Sequence, residues 1–182
     1  MKKKLLVISG SSGVGKGTVL KELFKMRNDT KYSVSCTTRK PREGEIHGVN
    51  YFFITYDEFM KKVENGHFLE WAEFSGNCYG TDREFVKKTL NDGYHVILEI
   101  ETQGAMQIKE KMPDCTMIFI APPSVEELER RLRGRNTETE DAIQRRLSIV
   151  KTELELSKEY DYIVVNDVVE NAAVKISEII DA

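Results

Sequence analysis

Residues 10–18 read Gly-Ser-Ser-Gly-Val-Gly-Lys-Gly-Thr and directly follow the apolar run Leu5–Ser9. The helical pattern Lys16–Met26 begins where this stretch ends, with apolar residues at helical spacing. Glycines allow consecutive backbone N–H groups to surround an anion, and the first turn of a helix adds its dipole. The strand, the G-x-x-x-x-G-K spacing and the helix together predict a phosphate-binding loop in an α/β fold, with Lys16 at the β- and γ-phosphates of a nucleotide.

The loop departs from the strict motif at one position. Ser or Thr usually follows the lysine, but here Gly17 intervenes before Thr18. Thr18 can supply the hydroxyl, and whether it ligates Mg²⁺ directly stays open. The alternative is a glycine-rich turn with a solvated lysine, which the flanking strand and helix argue against. The loop alone predicts a site for ATP or GTP, formed by Gly10, Ser11, Ser12, Gly13, Val14, Gly15, Lys16, Gly17 and Thr18.

Five short apolar runs alternate with helical patterns along the chain. Evenly apolar strands are typical of a parallel sheet covered on both faces, and the alternation predicts a three-layer α/β sandwich around a five-stranded parallel sheet. The predicted strands are Leu5–Ser9, Tyr32–Cys36, His95–Ile100, Thr116–Ile120 and Tyr162–Val165. The predicted helices are Lys16–Met26, Ser124–Leu132, Glu140–Lys158 and Val168–Ile180.

Two stretches interrupt this alternation. Residues from about 35 to 90 are longer than a crossover needs and contain the strand candidates Tyr51–Ile54 and Phe68–Phe74, so we interpret them as an inserted α+β subdomain. Residues 133–139 form a polar connection inside a helical region, which favours a short lid. The core of a single domain then comprises residues 1–34, 91–132 and 140–182.

The composition fits a globular domain, since 40% of the 182 residues are hydrophobic and 31% are charged. A net charge of −3 favours no general affinity for nucleic acid. We expect no membrane contact, because no apolar stretch approaches the ~20 residues that span a bilayer, and Leu5–Ile8 is too short for a signal peptide. Cys36, Cys78 and Cys115 are widely spaced and odd in number, which favours a reducing cytoplasm over a disulfide framework.

Two arginines, Arg39 and Arg42, precede Tyr51 in a segment rich in turn residues. Guanidinium groups match phosphate oxygens in geometry, so these side chains can clamp a dianionic phosphate. Taken singly, each arginine is better explained as a solvated loop charge. The clamp therefore depends on the surrounding motifs.

Those motifs resemble the guanylate kinase family, in the same order and over nearly the whole chain, from residue 5 to about 167. Besides the phosphate loop they are Thr-Thr-Arg-Lys-Pro-Arg-Glu-Gly-Glu (37–45), Phe-Leu-Glu-Trp-Ala-Glu-Phe (68–74), Gly-Asn-Cys-Tyr-Gly-Thr (76–81), Ala-Pro-Pro-Ser (121–124) and Gly-Arg-Asn-Thr-Glu-Thr-Glu (134–140). The resemblance implies a cytoplasmic enzyme of purine metabolism that moves the γ-phosphoryl group of Mg·ATP onto GMP. It also implies that dGMP is accepted.

The resemblance further assigns site residues by position. Those implied for the GMP phosphate are Arg39, Arg42, Tyr51 and Tyr79, and those for guanine are Ser35, Glu70 and Thr81. The arginines implied at the transferring phosphoryl group are Arg131, Arg135 and Arg146, with Lys16 as their catalytic partner and Asn166 beside adenine.

Elementary chemistry agrees with the place of Glu70. Guanine presents two donors, N1–H and the 2-amino group, which a carboxylate accepts. Adenine presents an acceptor at N1 and would leave that carboxylate unpaired. Hydroxyls of Ser35 and Thr81 can donate to guanine O6. Without the resemblance, a surface acid beside a core Trp71 would explain Glu70 equally well.

Glu99 and Glu101 close the apolar strand His95–Ile100 and share one face by their two-residue spacing. The family often has Asp at both places, so we favour Glu101 for guanine and Glu99 for a water on Mg²⁺ or for orienting an arginine, with the division open. Two milder departures are Ser11, where Pro is frequent, and Cys78, where Tyr is common.

Two other classes of function compete with this interpretation. Guanylate-kinase-like scaffold modules bind peptides without chemistry, but they typically lose the phosphate loop and the lid arginines that Lys16, Arg135 and Arg146 represent here. A related phosphate-loop kinase could act on another acceptor, such as a sugar phosphate, and would not need Ser35, Glu70 and Thr81. Whether the protein is a monomer or a homo-oligomer stays open.

Overall fold

The fold is given by a computed structural model that describes residues 2–11, 13–74, 76–134 and 140–182. Its strands are β1 (Leu5–Gly10), β2 (Thr30–Tyr32), β3 (Cys36–Thr37), β4 (Phe52–Phe53), β5 (Phe68–Phe74), β6 (Asn77–Asp82), β7 (His95–Glu99), β8 (Thr116–Ala121) and β9 (Tyr162–Val165). Its helices are α1 (Lys16–Met26), α2 (Tyr56–Glu64), α3 (Arg83–Asn91), α4 (Thr102–Lys111), α5 (Val125–Gly134), α6 (Glu140–Leu156) and α7 (Val169–Asp181).

The predicted five-stranded parallel sheet is present, with strand order β2-β7-β1-β8-β9. All six residues of β1 are buried, as expected for a central strand with both faces covered. The edge strand β9 is different, because Tyr162, Ile163 and Val165 are 42%, 51% and 44% exposed. The expectation of a sheet covered evenly on both faces was therefore wrong for Tyr162–Val165.

The predicted strand Tyr32–Cys36 was also wrong. The backbone N–H of Ser33 still donates to the Ile97 carbonyl at 2.9 Å, but the parallel pairing of β2 with β7 ends at Tyr32. Cys36 belongs to another sheet, where it lies opposite Phe52 and Gly80. The apolar pattern runs through this junction because Ser33 and Cys36 are both buried.

The chain divides into two compact units. The first comprises Met1–Leu6, Asp29–Leu98 and Gln103–Cys115. It contains a second sheet of four strands, in the order β4-β3-β6-β5, with β5 at one edge. Phe59 of α2 packs beneath this sheet against Cys36, Phe68 and Cys78. The boundaries predicted for the inserted subdomain, about 35–90, stay a prediction.

The second unit comprises Val7–Asn28, Glu99–Thr102 and Thr116–Ala182. Helix α5 packs on α6 through Leu128, Leu132 and Val150. Of the predicted lid, residues 133 and 134 end α5, and residues 135–139 lie outside the described part of the chain. Within the described ranges, no helix has both the length and the apolar character needed to cross a membrane.

Candidate active site

The phosphate loop takes its shape from glycines whose backbone conformations or close contacts other residues rarely tolerate. Gly13 and Gly15 have φ of +86° and +95°, and Gly15 is the residue from which α1 starts. A side chain on Gly10 would also collide, because its Cβ would lie 2.4 Å from the carbonyl oxygen of Ile120. Gly17 is unconstrained by contacts, since a Cβ there would meet nothing within 4 Å. The motif thus contains both obligatory and optional glycines.

Lys16 spans the loop that precedes it. Its Nζ donates to the Gly10 carbonyl at 2.6 Å, so the ammonium lies at the start of the loop although its backbone belongs to α1. Thr18 is exposed on the first turn of α1, where its hydroxyl is accessible. Ser11 is buried, and its Oγ has no hydrogen-bond partner in the described part of the chain. Ser12 lies outside the described residues.

Asn166 directly follows β9, and its side chain contacts the phosphate loop. Its side chain is only 2% exposed, and its Nδ2 donates to the Val14 carbonyl at 2.7 Å. The backbone N–H of Asn166 donates to the Ala121 carbonyl at 2.8 Å. The resemblance placed this residue beside adenine. The structure adds a contact with the phosphate loop, which no sequence spacing indicated.

In the first unit, the strand register aligns four of the predicted GMP residues in one row. Cys36 pairs with Phe52 and Gly80, so the preceding residue, Ser35, lies between Tyr51 and Thr81. Thr81 in turn lies directly opposite Glu70. The row across the sheet is Tyr51, Ser35, Thr81 and Glu70.

Glu70 is a buried carboxylate with one side-chain partner in the row. It is 6% exposed, and its Oε1 accepts a hydrogen bond from Thr81 Oγ1 at 2.7 Å. Burial raises the pKa of Glu70, while the hydrogen bonds from Thr81 and the positive charge of Lys111 act in the opposite direction. A buried, ionisable acceptor of this kind is what a guanine edge requires.

Arg39 is paired with an acid to which the sequence analysis gave no role. Its two terminal nitrogens donate to Glu45 at 2.9 and 2.8 Å, and Glu45 also accepts from the Arg42 backbone N–H at 2.7 Å. The hydrogen bonds from Arg39 and Arg42 hold the pKa of Glu45 below its usual range. Glu45 therefore fixes the orientation of the guanidinium. The spacing Arg-x-x-x-x-x-Glu within the motif was the available signal.

The aromatic residues of the predicted phosphate clamp lie around Arg39. Its guanidinium carbon is 5.4 Å from the centroid of the Tyr51 ring. Glu45 and, to a smaller extent, Tyr79 raise the pKa of Arg39. The two tyrosine rings contact edge to face with centroids 6.1 Å apart. The structure thus brings Arg39, Tyr51 and Tyr79 together, whereas Arg42 is exposed in the adjoining turn.

Thr37 and Thr38 anchor this segment to β6. Thr37 Oγ1 donates to the Cys78 carbonyl at 2.9 Å, and the Cys78 backbone N–H donates to Thr38 Oγ1 at 2.9 Å. The Cys78 side chain points into the apolar cluster and is 3% exposed. The departure at Cys78 therefore changes the core of the sheet, and Tyr79 next to it keeps its place beside Arg39.

The predicted acids Glu99 and Glu101 differ in position. Glu99 is the last residue of β7 and is half-buried, whereas Glu101 is exposed beyond the strand, which ends earlier than expected. Tyr160 lies within the field of Glu101: burial, with smaller contributions from the charges of Glu101 and Glu153, raises the pKa of Tyr160 to about 12. The division of labour between the two acids stays a prediction.

Of the three predicted catalytic arginines, Arg131 lies on α5 and Arg146 on α6, but neither side chain is among the described ones, and Arg135 lies outside the described residues. A neighbouring arginine, Arg133, connects α5 to α6. It donates to Glu140 at 2.5 and 2.7 Å, which lowers the pKa of Glu140 to about 2. This ion pair brackets residues 135–139 and was not anticipated from the sequence.

Comparisons with known proteins identify the family of the chain. A family model described as guanylate kinase matches residues 2–182. The chain is 54% identical over 178 residues to a guanylate kinase of Bacillus cereus, covering 97% of this chain and 86% of that protein. It is 52% identical to a guanylate kinase of Lactococcus lactis, with coverage of 98% and 87%.

A solved structure gives the same result. The crystal structure of guanylate kinase from Anaplasma phagocytophilum superposes with a TM-score of 0.76 at 33% identity, covering 99% of this chain and 86% of that one. The family model, the curated relatives and the solved structure agree with one another, and the chain therefore belongs to the guanylate kinase family.

Proposed function

We propose that the protein is an ATP:GMP phosphotransferase that makes ADP and GDP. The observation that carries this proposal is the row of Tyr51, Ser35, Thr81 and Glu70, in which a buried carboxylate lies next to two hydroxyl-bearing residues, Thr81 and Ser35. The names of the relatives support the same activity. A cytoplasmic location agrees with three buried cysteines that form no disulfide, Cys36, Cys78 and Cys115.

On the donor side, the loop amides and Lys16 bind the phosphates of ATP. Lys16 already lies against the loop through Gly10, so it needs to exchange one carbonyl contact for phosphate oxygens. Mg²⁺ usually keeps several waters and binds through substrate phosphates with one or two protein oxygens. No group of three acidic, histidine or cysteine ligands occurs among the described residues. Thr18 and Glu99 are candidate oxygen donors, and one or two such donors fit that mode of Mg²⁺ binding. When bound, Mg²⁺ neutralises phosphate charge.

On the acceptor side, Glu70 accepts hydrogen bonds from guanine N1–H and the 2-amino group, and Ser35 and Thr81 donate to O6. Glu101 is the proposed second acid for guanine. Arg39, with Arg42, Tyr51 and Tyr79, binds the GMP phosphate. The Glu45 contact keeps the Arg39 guanidinium oriented before the nucleotide arrives.

The transfer needs positioning and charge neutralisation more than covalent chemistry. An oxygen of the GMP phosphate attacks the γ-phosphorus, and the bond from the γ-phosphorus to the bridging oxygen of ADP breaks. The attacking oxygen is already anionic, so no general base is required. Lys16, Arg131, Arg135 and Arg146 are the proposed cations that offset charge in the transition state.

A screen of acceptors with Mg·ATP tests the function. We expect turnover with GMP and dGMP, and turnover with AMP or a sugar phosphate that is lower by orders of magnitude. Tight peptide binding without turnover would instead support a scaffold module, and a preference for a sugar phosphate would support another kinase.

The variant Glu70→Gln tests the guanine assignment within that screen. The change keeps the shape of the side chain, removes its charge and turns one acceptor into a donor. Loss of a charge-assisted pair should cost about 2–4 kcal/mol, or about 30- to 1,000-fold in kcat/KM for GMP. AMP turnover should change much less. An equal fall for both nucleotides would show that Glu70 supports the fold rather than selectivity.

A further inference from the structure

The strand that carries Glu70 contains an irregularity directly beside it. β5 lies at the edge of the second sheet, and its pairing with β6 shifts between Phe68, opposite Asp82, and Glu70, opposite Thr81. Leu69 is therefore an extra residue on the bulged strand. A bulge of this kind redirects the following side chains and often occurs next to functional sites. Here it brings Glu70 into register with Thr81.

Two side chains of α4 donate hydrogen bonds to the outer edge of β5, at the backbone carbonyls of the residues before and after Glu70. Lys111, the last residue of α4, donates from Nζ to the Leu69 carbonyl at 2.7 Å. One turn earlier, Gln107 Nε2 makes a longer contact of 3.5 Å with the Trp71 carbonyl. The carbonyls on either side of the buried carboxylate are thus both engaged from the same face of one helix.

Lys111 is suited to both a mechanical and an electrostatic effect on Glu70. A cation at the last turn of a helix interacts favourably with the helix dipole, so its position at the end of α4 costs little. Its bond to Leu69 immobilises the bulged peptide, where the sheet supplies no regular pairing. Its charge also favours the ionised form of Glu70, together with Thr81 from β6.

We propose that Lys111 is a positioning residue for guanine selectivity: it holds the bulge at Leu69 and thereby keeps Glu70 in register with Thr81. The inference rests on the proposed function, in which Glu70 accepts hydrogen bonds from guanine. Lys111 itself contacts no substrate. Besides holding the strand, its charge favours the ionised form of Glu70.

The test compares Lys111→Met, Lys111→Arg and a control, Lys88→Met, which removes an exposed lysine from α3 of the same unit. We expect Lys111→Met to lower the GMP-to-AMP ratio of kcat/KM by about 5- to 30-fold. Lys111→Arg should restore most of it, and Lys88→Met should leave it unchanged. Thermal unfolding of each variant checks that the protein is folded.

A pH profile separates this role from general structural damage. The groups that act on Glu70 are Thr81, which is neutral, and Lys111, so removing the lysine should raise the Glu70 pKa and move the acidic limb of kcat/KM for GMP to higher pH. ¹³C NMR of the Glu70 carboxyl, assigned with Glu70→Gln, measures the same shift without turnover. Pure structural damage would lower kcat/KM equally at every pH.

The outcomes distinguish this inference from the proposed function. If Glu70→Gln lowers the GMP-to-AMP ratio but Lys111→Met behaves like Lys88→Met in ratio and in carboxyl pKa, the inference is wrong and the guanine assignment stands. If Glu70→Gln leaves the ratio unchanged, the guanine assignment fails and the inference fails with it. A lowered ratio and an upward shift in Lys111→Met, both reversed in Lys111→Arg, support it.

Discussion

The phosphate loop and the row around Glu70 are built on different principles. The loop is shaped by the backbone, through the positive φ of Gly13 and Gly15 and the close approach of Gly10 to Ile120. The acceptor site is built from side chains that other residues hold in place: in the row Glu70 is held by Thr81, and beside the row Arg39 is held by Glu45. A backbone site depends on one contiguous motif, whereas a side-chain site depends on residues from several segments of the chain.

The largest expected effect concerns Lys16, whose side chain spans the phosphate loop. Lys16→Met removes a cation aimed at phosphate charge, and loss of a preorganised donor of this kind typically costs about 10²- to 10³-fold in kcat. The control is Lys25→Met, at the far end of the same helix, where the lysine makes only an exposed pair with Glu22. A folded Lys16→Met variant that kept a tenth of the wild-type kcat would contradict the role of Lys16.

The next effect concerns stability and tests the backbone half of the comparison. In Gly10→Ala, the new methyl group would lie 2.4 Å from a backbone oxygen that cannot rotate away. Overpacking of this kind costs about 1–3 kcal/mol of unfolding free energy. Urea denaturation measures it, and a stability equal to that of the wild type would show that the loop has more space than the structure indicates.

A smaller effect tests the side-chain half. Glu45→Gln leaves Arg39 without its doubly bonded anionic partner, so the guanidinium becomes less ordered before GMP binds. We expect a rise of about 3- to 10-fold in the KM for GMP with little change in kcat, because the lost term is ground-state orientation. Glu43→Gln, exposed in the same turn, is the matched control. A fall in KM would mean that Glu45 competes with the GMP phosphate for Arg39.

The same contrast explains what could be predicted from the sequence. The phosphate loop, α1 and most of the parallel strands were predicted because buried runs and closely spaced glycines leave a local signal. Thr37, Thr38 and Lys111 were quoted without a role or passed over, since their partners depend on strand register and on a bulge that spacing does not reveal. Glu45 was also given no role, although its spacing from Arg39 was a local signal. Tyr32–Cys36 failed for a related reason: burial continues where the chain changes sheets.

The smallest expected effect completes the comparison within the loop itself. Gly17 lies in the first turn of α1, its φ is outside the left-handed range, and a Cβ there would meet nothing within 4 Å. Gly17→Ala should therefore raise the unfolding free energy by up to about 0.5–1 kcal/mol, because alanine loses less backbone entropy in a helix. The KM for ATP should change by less than about threefold.

Gly10→Ala is the matched variant, since the same methyl group is added at both positions. If Gly17→Ala destabilised the protein as much as Gly10→Ala, the requirement for glycine would follow from the motif as a whole rather than from the collision at Ile120. If Gly17→Ala raises the unfolding free energy and Gly10→Ala lowers it, the requirement for glycine follows from the backbone contacts of individual glycines.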